Sequence, residues 1–336
     1  MFSPFLTTGI GSLPHTDPEE ACRLVLETFD MPFWPQLPKL SFRESMIPQF
    51  SEGMPSLRID EEKEILWVEK DSDALTKFYE TYSEDLQLAI SDSHARGFYK
   101  FFDTIKDKHF KYLKGHVTGP LTFTLGLKES DGRLIYFDEE LREIALIVLK
   151  AKIKWQMEAL KRNTEQAIIF IDEPILTALG SSSYIGVDPG EALRLLRETS
   201  DAVKGSGGIS GIHCCSKADW PLVIKSGVDI ISFDAYDYID TISLYPLEFS
   251  GFLRSGGYLA WGIVPTTESI IREDTESIKR RFDAGLERLS KFIPKNLLLS
   301  QMLLTPSCGT GSRSIDEATK VFRTLIELKV LIKGNQ

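Results

Sequence analysis

Cysteine is scarce in this chain: four in 336 residues, at 22, 214, 215 and 308. So few cannot build a disulfide framework, and a reducing, cytoplasmic setting is the expectation. Long apolar runs are missing too. No stretch reaches the roughly 18 continuous apolar residues of a membrane span. The first twenty residues lack a basic region followed by an apolar one, so no secretory signal is expected. Positive charge is in deficit, with a formal net charge of -10. That balance argues against general nucleic-acid binding and against an anionic membrane surface. Low-complexity linkers and short repeats are also lacking, and a single domain over 1–336 with a small insertion at about 41–70 is expected.

What recurs is an apolar, β-branched run followed by an amphipathic helical stretch. Strands are expected at Phe5–Ile10, Met31–Leu37, Phe110–Val117, Ala167–Ile171, Gly208–His213, Asp229–Phe233, Tyr258–Ile263 and Leu297–Thr305. The second of these carries two prolines, which weaken it as a strand. Thr16 or Asp17 caps a helix to about Phe29. Ser56–Ile59 and Ile65–Val68 pair as a small hairpin, and Asp71 to about Ile105 reads as mostly helical. Asp138–Arg162 is a strong helix, with Leu141, Ile144, Ala145, Val148, Leu149, Ile153 and Met157 on one stripe. Asp188 opens another helix to about Val203, and further helices are expected near 267–291 and 314–332. Eight strands alternating with helices predict an α/β fold of the (β/α)8 TIM-barrel type. Ser12, Asp172, His213, Asp234 and Cys308 all fall at or just past strand C-terminal ends, where such barrels build active sites. Polar residues also end strands for reasons unconnected with function.

His213 and Cys215 in SGIHCCSKAD are one residue apart, so in extended backbone both side chains point the same way. Cys308, in TPSCGTGSR, follows another apolar run. One imidazole and two thiols are ligand types that zinc prefers. His-x-Cys alone also describes a buried cysteine beside a hydrogen-bonded histidine. Cys214 points the opposite way and is expected to pack, as is Cys22 within its helix. Asp172-Glu173 reads equally as a helix-capping pair or as part of a site. His116 stands at a strand end as either a structural or a substrate-facing histidine. Phe233, Tyr236 and Tyr238 are expected to pack in the core and rim, with the wall of a flat cofactor as the alternative. Ser181-Ser182-Ser183 reads as a loop.

TTGIGSLPHT, HVTGPLTFTLG, IDEPIL, GIHCC, DIISFDA and TPSCGTGSR, in this order and nearly end to end, resemble the catalytic C-terminal half of cobalamin-independent methionine synthase. The same superfamily includes uroporphyrinogen decarboxylase and corrinoid-dependent thiol methyltransferases. The decarboxylase needs no metal, so His213, Cys215 and Cys308 speak against it. The resemblance implies a barrel, a catalytic zinc and methyl transfer to the thiol of homocysteine. It implies His213, Cys215 and Cys308 as zinc ligands and catalytic residues, with Asp234 standing where the family has a glutamate ligand. Ile10, Gly11 and Ser12 answer to the holder of the amino-acid carboxylate, Asp172 to the holder of the ammonium group, and Glu44 to a second acidic contact.

Two departures bear on the methyl donor. The family's full-length enzymes carry an additional N-terminal half that helps bind polyglutamyl folate, and nothing here precedes the first strand. Those enzymes also have a histidine after strand seven, where this chain reads GIVPTTE. An amine leaving group needs a positioned acid, whereas a cobalt-bound methyl does not. Methylcobalamin, on a corrinoid protein partner, is therefore the expected donor. A folate-dependent methionine synthase, or a corrinoid-dependent enzyme acting on another thiol such as coenzyme M, is the alternative.

Overall fold

The computed structural model describes residues 2–83, 85–179 and 184–334. Seven parallel strands form one curled sheet: β1 (Leu6–Thr7), β4 (Phe110–Thr118), β5 (Thr164–Asp172), β6 (Ile209–Cys214), β7 (Ile230–Asp234), β8 (Tyr258–Val264) and β9 (Met302–Pro306). Their spatial order is β1-β9-β8-β7-β6-β5-β4. Helices lie between successive strands in the chain, as parallel pairing requires. The hairpin expected within 41–70 is present as β2 (Leu57–Asp60) paired antiparallel with β3 (Ile65–Val68).

The first two expected strands differ from the reading of the sequence. Phe5–Ile10 shortens to β1, paired with β9. Met31–Leu37 forms no named strand, only isolated parallel bridges, Ser12 to Gln36 and Phe33 to Lys114. Pro32 and Pro35 have no N–H to give a ladder. Even so, the segment touches both edges of the sheet. Met31 and Gln36 donate to the Thr7 and Gly11 carbonyls on one side, and Lys114 donates to the Pro32 carbonyl on the other. The last expected strand also begins late, because Lys295–Ser300 coils into a short helix behind Pro294.

The expected helix over Asp71–Ile105 is two helices, Ser72–Thr81 and Arg96–Ile105. Between them the backbone is claimed by side chains from elsewhere. Glu52 accepts from the Ser91 N–H, and Gln49 donates to the His94 carbonyl. The long helix Glu139–Lys161 forms as expected, with Asp138 capping its first turn and the whole apolar stripe buried.

Each strand has two buried faces, which is why most read as continuous apolar runs. One face packs against the helices; Leu113, Ile169, Ile171, Ile212, Ile231, Leu259 and Leu304 belong to that larger core. The other face encloses a separate core of Tyr112, Ile168, Phe170, Ile230, Tyr258, Ala260 and Leu303. By the two-residue period of a strand, Lys114 and His116, Asp172, His213, Ser232 and Asp234 share the enclosed face. The polar side chains therefore stand above an apolar floor. No helix among the described residues is long and apolar enough to cross a membrane.

Candidate functional site

The ends of β6 and β9 bring His213, Cys215 and Cys308 together. One ligand atom from each lies within 4.8 Å of the others. His213 is buried and both thiols are half-exposed, so the group faces the strand C-terminal end and is open on one side. The His213 Nδ1 atom lies 3.0 Å from Ser232 Oγ in the neighbouring strand. Its Nε2 is buried and, among the described residues, has no partner other than the neighbouring Cys215 thiol. The Cys308 thiol, donating to Cys215, and the adjacent His213 hold the Cys215 thiol down to about 4. Cys308 is correspondingly pushed well above the ordinary thiol range by that same hydrogen bond and by burial.

These residues fit a zinc ion. A buried imidazole nitrogen and two thiols converge on one point, and a divalent cation would take the place of the thiol protons. Cys214 lies on the opposite face as expected. It is buried beside Thr177 Oγ1, and burial pushes its thiol up to about 12. Cys22 is likewise packed away, against the Gly97 carbonyl. Asp234 ends the next strand and is buried, but it stands outside the three-residue group. One of its oxygens accepts from the Asp237 N–H at 2.9 Å, and desolvation raises its carboxyl to about 7.

The Asp172-Glu173 pair divides its work. Glu173 turns away and accepts from the Leu121 and Thr122 N–H groups and the Thr122 hydroxyl, capping the helix Pro120–Gly126. Asp172 pairs in register with His213, and its Oδ1 is buried with no partner among the described residues. Desolvation raises its carboxyl to about 6, against the pull of His213 and Lys114. A buried, unpaired carboxylate oxygen is costly to leave so, and a cationic group is what would satisfy it.

The Gly11-Ser12 turn is fastened to the Cys308 loop. The Ser12 carbonyl accepts from Thr310 N–H at 2.8 Å and from its hydroxyl, and Ser12 Oγ accepts from Gly311 N–H. A Cβ at Gly309 would overlap Ser12 Oγ, so glycine permits this approach. Among the described residues, the backbone N–H groups of Ile10, Gly11 and Ser12 donate to no protein acceptor. Consecutive free N–H groups of this kind can receive an anion.

Glu44 is placed differently. It is fully buried, and its two oxygens accept from the Leu37 and Arg96 N–H groups. His116 stacks on Trp34 with ring centroids 3.9 Å apart and meets Gln49 Oε1 at 3.4 Å through Nε2. Its Nδ1 is buried without a partner. Phe233 is fully buried on the helix side of the sheet, edge-on to Trp220 and Trp261, and Tyr236 stacks under Arg281, so these two pack as expected. Ser181-Ser182-Ser183 lies outside the described residues. Two interior residues had not been singled out from the sequence, Ser232 and Lys114.

No protein-family model matches the chain, and no curated protein does. A solved structure that it resembles is that of a B12-independent methionine synthase from Shewanella sp. W3-18-1 in complex with selenomethionine. The two share a TM-score of 0.61 and 13% identity over 99% of each chain. At that identity the likeness shows the fold, an α/β architecture of the TIM-barrel kind. That neighbour is described as B12-independent, and no comparison supports the methylcobalamin donor or the corrinoid partner expected from the sequence. The buried orientation of Phe233 also removes one wall that a flat ring would have used.

Proposed function

We propose that this protein is a zinc-dependent methyltransferase that makes methionine from homocysteine. The observation that carries the reading is the convergence of His213, Cys215 and Cys308 beside an unpaired buried Asp172 carboxylate. The description of the structural neighbour as a methionine synthase supports it. We also read residues 31–36 as the eighth stave of a closed barrel, since they hydrogen-bond to both edges of the seven-stranded sheet.

In this reading His213, Cys215 and Cys308 hold zinc. When bound, zinc keeps a substrate thiol in its nucleophilic thiolate form near neutral pH, where a free thiol with a pKa near about 8.5 is mostly protonated. The chain's own residues do the rest. Two cysteine ligands make the centre electron-rich, unlike centres that acidify water. Ser232 fixes the His213 ring. Asp172 receives the substrate ammonium, and the free N–H groups at Ile10–Ser12 receive its carboxylate. Asp234, at the end of β7 in the strand next to His213, would be the additional ligand. Glu44 supports the Leu37 and Arg96 backbone, and as a carboxylate it keeps acceptor capacity for a second contact to the substrate ammonium.

An amino-acid thiol suits this arrangement better than a sulfonate thiol such as coenzyme M, because the buried Asp172 carboxylate calls for an ammonium group, which the sulfonate thiol lacks. The test is calorimetric titration of zinc-loaded protein with homocysteine, followed by an assay of methionine formation. Methyl-tetrahydrofolate, as mono- and triglutamate, and methylcobalamin are supplied as separate donors. Zinc-dependent homocysteine binding is expected, and the donor arms identify the methyl source. Homocysteine binding that is absent, or unchanged after zinc removal, would overturn the reading.

A further inference from the structure

Lys114 is a fully buried lysine on the enclosed face of β4, two residues before His116. Among the described residues, its ammonium has no carboxylate within salt-bridge distance, and it donates a hydrogen bond to the Ile10 carbonyl at 2.6 Å. The Phe33 and Phe170 rings flank the charge, with centroids 5.0 and 4.7 Å away. Burying a charge this way is expensive, and an apolar side chain of the same length would cost the fold less. Desolvation accordingly lowers its pKa to about 8, partly offset by Asp172.

The bond to Ile10 has a geometric consequence. In a trans peptide the carbonyl of one residue and the N–H of the next point in opposite directions. With the Ile10 oxygen fixed on Lys114, the Gly11 N–H faces away from Lys114, and it has no protein acceptor. We infer that Lys114 is a positioning residue for the carboxylate end of the substrate. It sets the peptide plane that presents Gly11 N–H and places a positive charge behind an otherwise neutral anion seat. The inference rests on the homocysteine reading and extends it to a residue outside the ligand set.

The experiment compares two thiols on zinc-loaded protein, homocysteine and 3-aminopropane-1-thiol, which keeps the thiol and ammonium but lacks the carboxylate. In wild type, homocysteine should bind the tighter of the two. Lys114→Met should weaken homocysteine by roughly 10-fold or more while changing the carboxylate-free thiol by less than about 2-fold. Lys114→Gln, which retains a donor, should keep part of the preference. Zinc content should be unchanged in both variants. Equal losses on the two thiols, or no loss on homocysteine, would overturn the inference. So would failure of both variants to fold, since Lys114 would then be a structural residue. Failure of wild type to bind either thiol would instead sink the homocysteine reading, so the two failures are distinguishable.

Discussion

His213 Nδ1 lies 3.0 Å from Ser232 Oγ, across the β6–β7 pair in which these two residues are register partners. A histidine that gives Nε2 to a metal must carry its proton on Nδ1, and here that proton has an acceptor. The pairing fixes both ring orientation and tautomer. Ser232→Ala should therefore lower zinc affinity by roughly 10-fold, the low end for loss of a residue that orients a metal ligand. Chelator competition on the purified variant gives the number. An unchanged affinity would show that the ring is held by packing alone.

Cys308 comes from the far end of the chain, and the Ser12–Thr310 contacts hold its loop in place. Cys308→Ser should reduce zinc from about one per chain to a small fraction after dialysis, because only two of the three converging residues remain and Asp234 stands outside that group. Asp234→Ala should have a smaller effect, since its carboxylate stands outside the three-residue group. Metal analysis of the two variants side by side checks this order. Full retention of zinc in Cys308→Ser would remove that residue from the ligand set.

The strands from β4 onward were legible because both of their faces are buried, so each reads as an apolar run with a polar end. His213 and Cys215 were legible because strand alternation alone puts them on one side. The partners that give these residues their roles were not. Ser232 sits inside IISFD as an ordinary small residue, and nothing local says that it faces His213. Lys114, in YLKGH, reads like an outward-facing strand lysine, and only the curl of the sheet turns it inside. The break after Thr81 was hidden for the same reason, since Glu52 and Gln49 hold the 91–94 backbone from another part of the chain. Glu44 answers to a substrate contact by resemblance alone, and nothing local in FRESM says that its oxygens also hold the Leu37 and Arg96 N–H groups.

Glu173 gives a stability prediction with a defined pH sign. Burial raises its carboxyl from an ordinary 4.5 to about 7. The folded state therefore binds the proton more tightly than the unfolded state. Its contribution is fully present below about pH 4.5 and is lost as pH rises through about 7. Glu173→Gln has no such titration. It should be less stable than wild type, because one amide oxygen cannot serve the two N–H groups and the hydroxyl that the carboxylate serves. The stability gap should then narrow by on the order of 1 kcal/mol between about pH 5 and pH 7.5. Urea midpoints of the two metal-free proteins at each pH measure it. A gap that widens with pH would mean that Glu173 is ionised throughout.

Asp172 tests the substrate end of the site most directly. Its Oδ1 is buried and, among the described residues, unpaired, and the residue lies in register with His213, so a cation held there would sit beside the proposed metal ligands. Desolvation, which raises the carboxyl to about 6, means that part of the cost of ionising it is met only when a cationic partner arrives. Asp172→Ala removes that partner and leaves the substrate ammonium desolvated without a counter-charge. Homocysteine binding should weaken by roughly 10-fold or more, on the order of 2 kcal/mol. Zinc content should stay the same, because Asp172 is not one of the three converging residues. A thiol lacking the amino group, 4-mercaptobutanoate, separates the two explanations for a loss. If Asp172 holds the ammonium, this analogue should bind wild type and Asp172→Ala equally. An equal weakening of both thiols would instead place the effect in the shape of the pocket, and a normal homocysteine affinity in Asp172→Ala would take the residue out of the site.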